Sequence, residues 1–220
     1  MAATLLFDLD GTLCETDWAH LEAFRQIFAG YGLAMDEHIF NAHVVGRPNT
    51  EIGAHFFPHL TPAEQAAICD AKEAKYREIV GSVQPVPGAL ALLDWADANG
   101  VRCAVVTNAP RLNAMLCLEG AGITRRFGAI ICGEELAHAK PHPLPYLTGL
   151  AALEGDGARS LAFEDSPAGM RAAIGAGLPV IGMTTNLSAE KVLACGAALA
   201  APDFTDPSLL AFVAARTGCC

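Results

Sequence analysis

The sequence predicts an α/β protein, a doubly wound parallel sheet interrupted after its first strand by an all-helical insertion. Three observations point there. A short apolar run over residues 5–8 ends in two carboxylates and a glycine, Asp8-Leu9-Asp10-Gly11. From residue 17 to residue 80 the hydrophobic pattern is helical only. From residue 87 onward short apolar runs alternate with helical segments of about ten residues, the pattern of strands joined by crossover helices.

Length and composition fit this organisation. At 220 residues the chain exceeds the usual single-domain size, so one domain with a sizeable insertion is expected. A hydrophobic content of 52% with 21 glycines argues for a substantial core, and no apolar run is long enough to cross a bilayer. Residues 1–4 carry no basic segment ahead of the first strand, so no secretory signal is expected. Eight cysteines without C-x-x-C or Cys/His ligand spacing read as reduced thiols of a cytoplasmic protein, and the pair Cys219-Cys220 reads as a frayed tail. A net charge of −10 disfavours nucleic acid and anionic membranes as partners. An anionic substrate therefore needs a local cluster of positive groups.

Taken in order, the first strand over residues 5–8 is long enough to be buried and to present its last side chain at the sheet's carboxyl edge, where ligands of parallel sheets bind. Asp8 and Asp10 alternate around Leu9, so both acids face roughly one way and Leu9 turns to the core. Two such carboxylates repel, and a divalent cation is the usual remedy. Within the insertion, Trp18, Leu21, Phe24, Ile27 and Phe28 recur at three- and four-residue steps and predict the first helix. Further helices follow over residues 36–45 and 49–57, and a fourth opens with Thr61-Pro62-Ala63-Glu64, an N-cap, a proline at the first turn and a glutamate at the third position, and runs to about residue 80. Pro85-Val86-Pro87-Gly88 marks the exit. Helices are then expected over 88–99, 110–120, 143–153, 167–176 and 188–195, with strands at 102–107, 129–132, 160–163, 179–183 and 198–200 and a last helix capped by Asp206. The division expected is a core of residues 1–15 and 83–220 and a helical insertion of residues 16–82.

The carboxyl ends of these strands collect the chemistry. The first offers Asp8 and Asp10, the second Thr107 and Asn108, the fourth Glu164 and Asp165, and Lys140 precedes a helix in Lys140-Pro141-His142-Pro143. Carboxylates, a hydroxyl, an amide and a lysine at one sheet edge are what phosphoryl transfer through an aspartyl-phosphate requires: acids to hold a hard cation, one of them to attack, and an ammonium to offset the charge.

Asp8-Leu9-Asp10-Gly11-Thr12, Thr107-Asn108, Lys140-Pro141 and Glu164-Asp165-Ser166 stand in the order and context of the four motifs of the haloacid-dehalogenase-like (HAD) superfamily. The resemblance covers essentially the whole chain, and the helical insertion sits where that superfamily places its small C1-type cap on a Rossmann-like core. Over the longer runs Val106-Thr107-Asn108-Ala109-Pro110-Arg111 and Ala162-Phe163-Glu164-Asp165-Ser166 the chain is most similar to the beta-phosphoglucomutase-like branch and its sugar-phosphate phosphatases. The resemblance implies that Asp8 is the nucleophile and a ligand of Mg2+. Asp10 would supply its backbone carbonyl to the metal and its carboxyl as general acid and base. Thr107 and Asn108 would hold the transferring phosphoryl oxygens, and Lys140 would bridge nucleophile and phosphoryl group. Asp165 would complete the metal site, with Glu164 a direct or water-mediated ligand. The superfamily's true dehalogenases lack the second aspartate, so Asp10 favours phosphoryl chemistry.

Three residues of the insertion are candidates for the substrate. His20, ten residues after Asp10, either reaches back toward it or lies on the surface. Arg47, framed by Gly46 and Pro48, suits an anionic or polyhydroxyl ligand. Lys72 matches a cap lysine of beta-phosphoglucomutases, while the alternating charges around it also suit a solvated helix face. The expectation is a Mg2+-dependent phosphatase of small phosphorylated metabolites, a monomer or weak oligomer. Its rivals are a beta-phosphoglucomutase, a phosphoglycolate-type organic-acid phosphatase and a non-enzymatic sugar-phosphate sensor.

Overall fold

The computed structural model describes residues 2–219. Six strands, β1 (Thr4–Phe7), β2 (Arg102–Thr107), β3 (Ala129–Cys132), β4 (Leu161–Glu164), β5 (Val180–Met183) and β6 (Leu199–Ala201), form one sheet in the order β3-β2-β1-β4-β5-β6 with every pairing parallel. This order changes direction between β1 and β4, and a crevice opens at the carboxyl ends of the strands at such a point. The register sets its contents. Phe7 lies opposite both Val105 and Phe163, so the residues that follow β1, β2 and β4 emerge side by side.

Strand β1 is buried on both faces, which is why it reads as a continuous apolar run. Leu5 and Phe7 join a cluster with α5 (Ala89–Ala98), α6 (Arg111–Gly120) and α10 (Pro207–Thr217). Leu6 joins the opposite cluster with α7 (Leu144–Ala152), α8 (Pro167–Gly175) and α9 (Ala189–Ala194). The first strand is displaced by one residue from expectation: it ends at Phe7 rather than Asp8, because Asp8 turns into the crevice while its amide still bonds Phe163 O at 3.0 Å. Phe7 stacks on Phe163 at 4.6 Å and meets Phe204 at 6.0 Å, a rigid aromatic floor directly beneath the strand ends.

Between β1 and α5 lie four helices, α1 (Asp17–Ala29), α2 (Glu37–His43), α3 (Asn49–Phe56) and α4 (Pro62–Ile79), with a hydrophobic cluster of their own built on Phe24, Phe28, Phe40, Ile52 and Phe57. The capping box at the start of α4 is present, with Thr61 and Glu64 bonding each other's backbone. Trp18 departs from the expected apolar face of α1. It is 54% exposed, because its indole N–H turns out to Glu15 O at 3.1 Å. Seven cysteines are unpaired thiols, five of them buried; Cys220 lies outside the described residues.

Gly88 joins this architecture at the start of α5. It has φ +81°, and a Cβ there would lie 2.6 Å from the carbonyl carbon of Phe204 and 2.7 Å from Thr205 N, both backbone atoms. Gly88→Ala is therefore expected to destabilise the chain by about 1–3 kcal/mol through backbone strain, read as a lower urea midpoint. An unchanged midpoint would show that the 202–206 loop yields freely.

Candidate active site

The turn after β1 builds one half of the site. Leu9 is fully buried, as alternation requires, and leaves Asp8 and Asp10 on the crevice side. Gly11 follows with φ +71°, and any Cβ there would come within 2.6 Å of Asp165 Oδ2 and 2.8 Å of Asp17 Oδ2. Glycine is thus needed twice over, for the left-handed turn and for the approach of two carboxylates.

Asp8 is held by Lys140, whose Nζ lies 2.7 Å from Asp8 Oδ1 and 2.5 Å from Glu164 Oε1. Glu164 has no exposed surface. Oε1 also accepts from the Tyr146 hydroxyl at 2.6 Å, and Oε2 from Ser166 Oγ at 3.1 Å. Space for this carboxyl exists because residue 169 is glycine: a Cβ would sit 1.9 Å from it. Asp165 Oδ1 accepts from Thr12 Oγ1 at 3.3 Å and Oδ2 from Asn186 Nδ2 at 2.8 Å, and Asn186 also donates to Asp17 at 2.6 Å. Carboxylate oxygens of Asp8, Glu164 and Asp165 lie within 4.8 Å of one another.

Three buried carboxylates around a single ammonium leave excess negative charge. Burial pushes the Asp8 carboxyl up to about 7, with Lys140 opposing and Glu164 adding to the rise. Asp165 is held well above the ordinary carboxylate range by burial and by the charges of Asp8, Asp17 and Glu164. Burial would lower Lys140, but Asp8 and Glu164 outweigh it and raise it. Such a pocket of unrelieved anionic oxygen fits a hard divalent cation.

Asp10 behaves differently. Burial alone would raise it, yet His20, Thr16 and Lys72 together hold it below the ordinary range. Thr16 Oγ1 donates to Asp10 Oδ1 at 2.5 Å, and His20 Nε2 lies 3.3 Å from the same oxygen. His20 is thus turned inward, stacked on Tyr76 at 3.9 Å, and its Nδ1 is 3.0 Å from Lys72 Nζ. Lys72 is 3% exposed rather than solvated; the charge alternation along α4 hides a buried pair, Lys72 and Glu73, 2.8 Å apart.

Thr107 and Asn108 stand beside the acids as the end of β2 dictates, and both line the cavity. Thr107 Oγ1 accepts from Ala109 N at 2.9 Å. The Asn108 side chain accepts from Lys140 N at 3.1 Å and donates to Lys140 O and Gly46 O at 3.2 and 3.3 Å, so it holds the lysine loop in place. Arg47 also lines the cavity, but its guanidinium is exposed, with Nη2 on Ala42 O at 3.3 Å. Its neighbour Gly46 lies against the core: a Cβ would come within 2.4 Å of Ser166 Cβ. The cavity measures about 90 Å³, and a larger cleft of about 880 Å³ adjoins it across Asn49 and Glu73.

The residues that sequence reasoning missed are those whose role comes from their partners: Thr16, Asp17, Tyr146 and Asn186. Of these, only Thr16 carried a signal, a hydroxyl directly ahead of a helix, and that signal pointed to capping. The structure instead gives α1 no side-chain cap and turns Thr16 to Asp10.

This geometry agrees with what the chain resembles among known proteins. The family model for haloacid dehalogenase-like hydrolases matches residues 5–183. Validoxylamine A 7'-phosphate phosphatase of Streptomyces hygroscopicus subsp. limoneus is 31% identical over 86% of this chain and 89% of its own. A phosphoglycolate phosphatase of Agrobacterium fabrum is 34% identical over 81% and 79% respectively. Among solved structures, CbbY from Rhodobacter sphaeroides in complex with xylulose-(1,5)bisphosphate superposes with a TM-score of 0.83 at 29% identity, covering 94% of this chain and 96% of that one. From its strand-end carboxylates to the extent of these matches, the chain belongs to the haloacid dehalogenase-like hydrolase family.

Proposed function

We propose that the chain is a cytoplasmic, Mg2+-dependent phosphatase of small phosphorylated sugars and related metabolites, working through an aspartyl-phosphate on Asp8. The observation that carries the reading is the placement of Asp8: a buried carboxylate with Lys140 on one oxygen, Glu164 and Asp165 at the end of β4 beside it and Asp10 two residues on. Relatives named as phosphatases of validoxylamine A 7'-phosphate and of phosphoglycolate, and a neighbour complexed with xylulose-(1,5)bisphosphate, support the substrate class.

Asp8 and Asp165 would hold the cation through carboxylates and Asp10 through its backbone carbonyl. Glu164, already bonded to Lys140, Tyr146 and Ser166, would act directly or through water. The bound ion supplies charge neutralisation at the phosphoryl group and the nucleophile. Asp8 attacks phosphorus and Asp10, protonated in the substrate complex, gives its proton to the leaving alkoxide. Asp10 then removes a proton from the water that opens the aspartyl-phosphate. Both contacts of Asp10 fall on Oδ1, which leaves Oδ2 for proton exchange. Lys140 opposes the rise that burial gives Asp8, and Thr107 with the Asn108 amide would receive phosphoryl oxygens. The helical insertion, residues 16–82, acts as the cap that closes over the substrate.

Three outcomes test the reading. A panel of phosphorylated metabolites with and without Mg2+, phosphoglycolate included, is expected to show metal-dependent phosphate release that Asp8→Asn abolishes; release by the variant at more than a trace of the parent rate would rule out the covalent route.

The second concerns pH. A carboxyl raised to about 7 in the folded chain binds a proton there that the unfolded chain has lost, so the metal-free site lowers stability as pH rises from about 4 to 7. A cation must displace that proton at low pH and meets none above it. The rise in Tm on adding Mg2+ should therefore be larger at pH 8 than at pH 5 and absent in Asp8→Asn. Equal rises at both values would place metal binding elsewhere.

The third concerns Arg47, which lines the cavity from the insertion and faces whatever distinguishes one leaving group from another. Arg47→Ala is expected to lower kcat/KM for the best sugar phosphate by about ten- to hundred-fold, while p-nitrophenyl phosphate turnover stays within about three-fold of the parent. Equal losses on both would assign Arg47 to closure instead.

A further inference from the structure

Two side chains beside the strand-end acids take no part in the reaction scheme, Asp17 and Asn186. Asp17 opens α1, Asn186 lies in the loop after β5, and both are half-buried. Asn186 Nδ2 lies 2.6 Å from Asp17 Oδ2 and 2.8 Å from Asp165 Oδ2. Ionised carboxylates only accept, so the amide turns its nitrogen to them, and each of its two N–H bonds serves one acid. A neutral group thus stands between two carboxylates that would otherwise repel.

The bridge is packed against the carboxylate turn. A Cβ on Gly11 would meet Asp165 Oδ2 at 2.6 Å, Asp17 Oδ2 at 2.8 Å and Asn186 Nδ2 at 2.9 Å, so all three atoms crowd the α-carbon of one glycine. The adjacent Thr185 hydroxyl donates to Gly11 O at 2.7 Å. The loop after β5 therefore has two holds, one on the backbone of the turn and one on the acids beside it. The oxygens of Asp165 are held unequally. Oδ2 has the 2.8 Å bond from Asn186, whereas Oδ1 has Thr12 Oγ1 at 3.3 Å, beyond the usual span of a hydroxyl hydrogen bond. Fixing Oδ2 sets the rotation of the carboxylate and leaves Oδ1 the less committed oxygen.

We infer that Asn186 is a positioning residue for the divalent cation: it holds Asp165 in one orientation against the charge of Asp17 and thereby sets a preference for Mg2+ over larger ions. Mg2+ demands a nearly regular octahedron of oxygens at short distance, whereas Ca2+ accepts larger and irregular shells. A carboxylate held in one orientation suits the first ion, and one that turns still serves the second. The inference rests on the Mg2+ site proposed above.

The test titrates Mg2+ and Ca2+ by calorimetry into the metal-free full chain at pH 8, without substrate. Asn186→Ala changes no charge. It should weaken Mg2+ binding by about ten- to hundred-fold and Ca2+ binding by less than about five-fold. At saturating Mg2+ its kcat should stay within about three-fold of the parent. Asp17→Asn subtracts a charge yet keeps a side-chain oxygen for Asn186, so it should weaken both ions alike and leave their ratio within about two-fold.

Equal losses of both ions in Asn186→Ala, or no loss of either, would overturn the inference and leave Asn186 a brace between α1 and the loop after β5. Asn186→Ser, whose one hydroxyl proton reaches a single acceptor, is expected to move the ratio the same way and serves if the alanine variant does not fold. A parent that binds neither ion would defeat the metal site and this inference with it. A parent that binds Mg2+ but releases no phosphate would defeat the proposed function alone, and the ion ratio would still decide the role of Asn186.

Discussion

The site depends on one charge shared among too many. Among the described residues Lys140 is the one ammonium facing Asp8 and Glu164, with Asp165 close behind, and all four side chains are buried. An uncompensated buried charge costs several kcal/mol, so the chain surrounds this group with other donors. Tyr146 and Ser166 bind Glu164, Thr12 and Asn186 bind Asp165, and Asn108 fixes the loop that carries Lys140. Much of the polar architecture at the strand ends follows from keeping that lysine and those acids in place.

The sheet order makes this concentration possible. Because β1 lies between β2 and β4, short side chains from three strands reach a common volume, and none needs a long loop to carry it. Beneath them the stack of Phe7, Phe163 and Phe204 resists displacement, so carboxylates that repel one another remain close. The rigid floor and the electrostatic imbalance above it are two sides of one arrangement, since a soft floor would let the acids part.

Much of this was legible in the sequence because strand ends are local events. An apolar run closing on Asp8, on Thr107 or on Glu164-Asp165 announces both the strand and its exposed edge, and the parallel topology then brings the three together. What was not legible depends on partners far along the chain. Lys72 and Glu73 sit in an alternating run of charges that resembles a solvated face, and only the packing of α4 on α1 and α6 shows that they are buried. Tyr146 looks like an ordinary aromatic of an apolar helix until its hydroxyl is seen on Glu164. Trp18 fits the helical period of α1 and is nevertheless exposed, since periodicity gives a face but not its width.

Thr16 has a further consequence. A threonine directly ahead of a helix ordinarily accepts a hydrogen bond from the first turn, and losing that bond weakens a helix by about 1 kcal/mol. Here the hydroxyl donates to Asp10, the Thr16 backbone is helical (φ −116°, ψ −11°) rather than extended as a cap requires, and α1 starts without a side-chain cap. The residue that orients Asp10 gives no side-chain cap to the first turn of the insertion, at the joint where it leaves the sheet. One threonine thus links the carboxylate turn of the sheet to the start of the helices above it, so a change at residue 16 reaches the reaction centre and the insertion together.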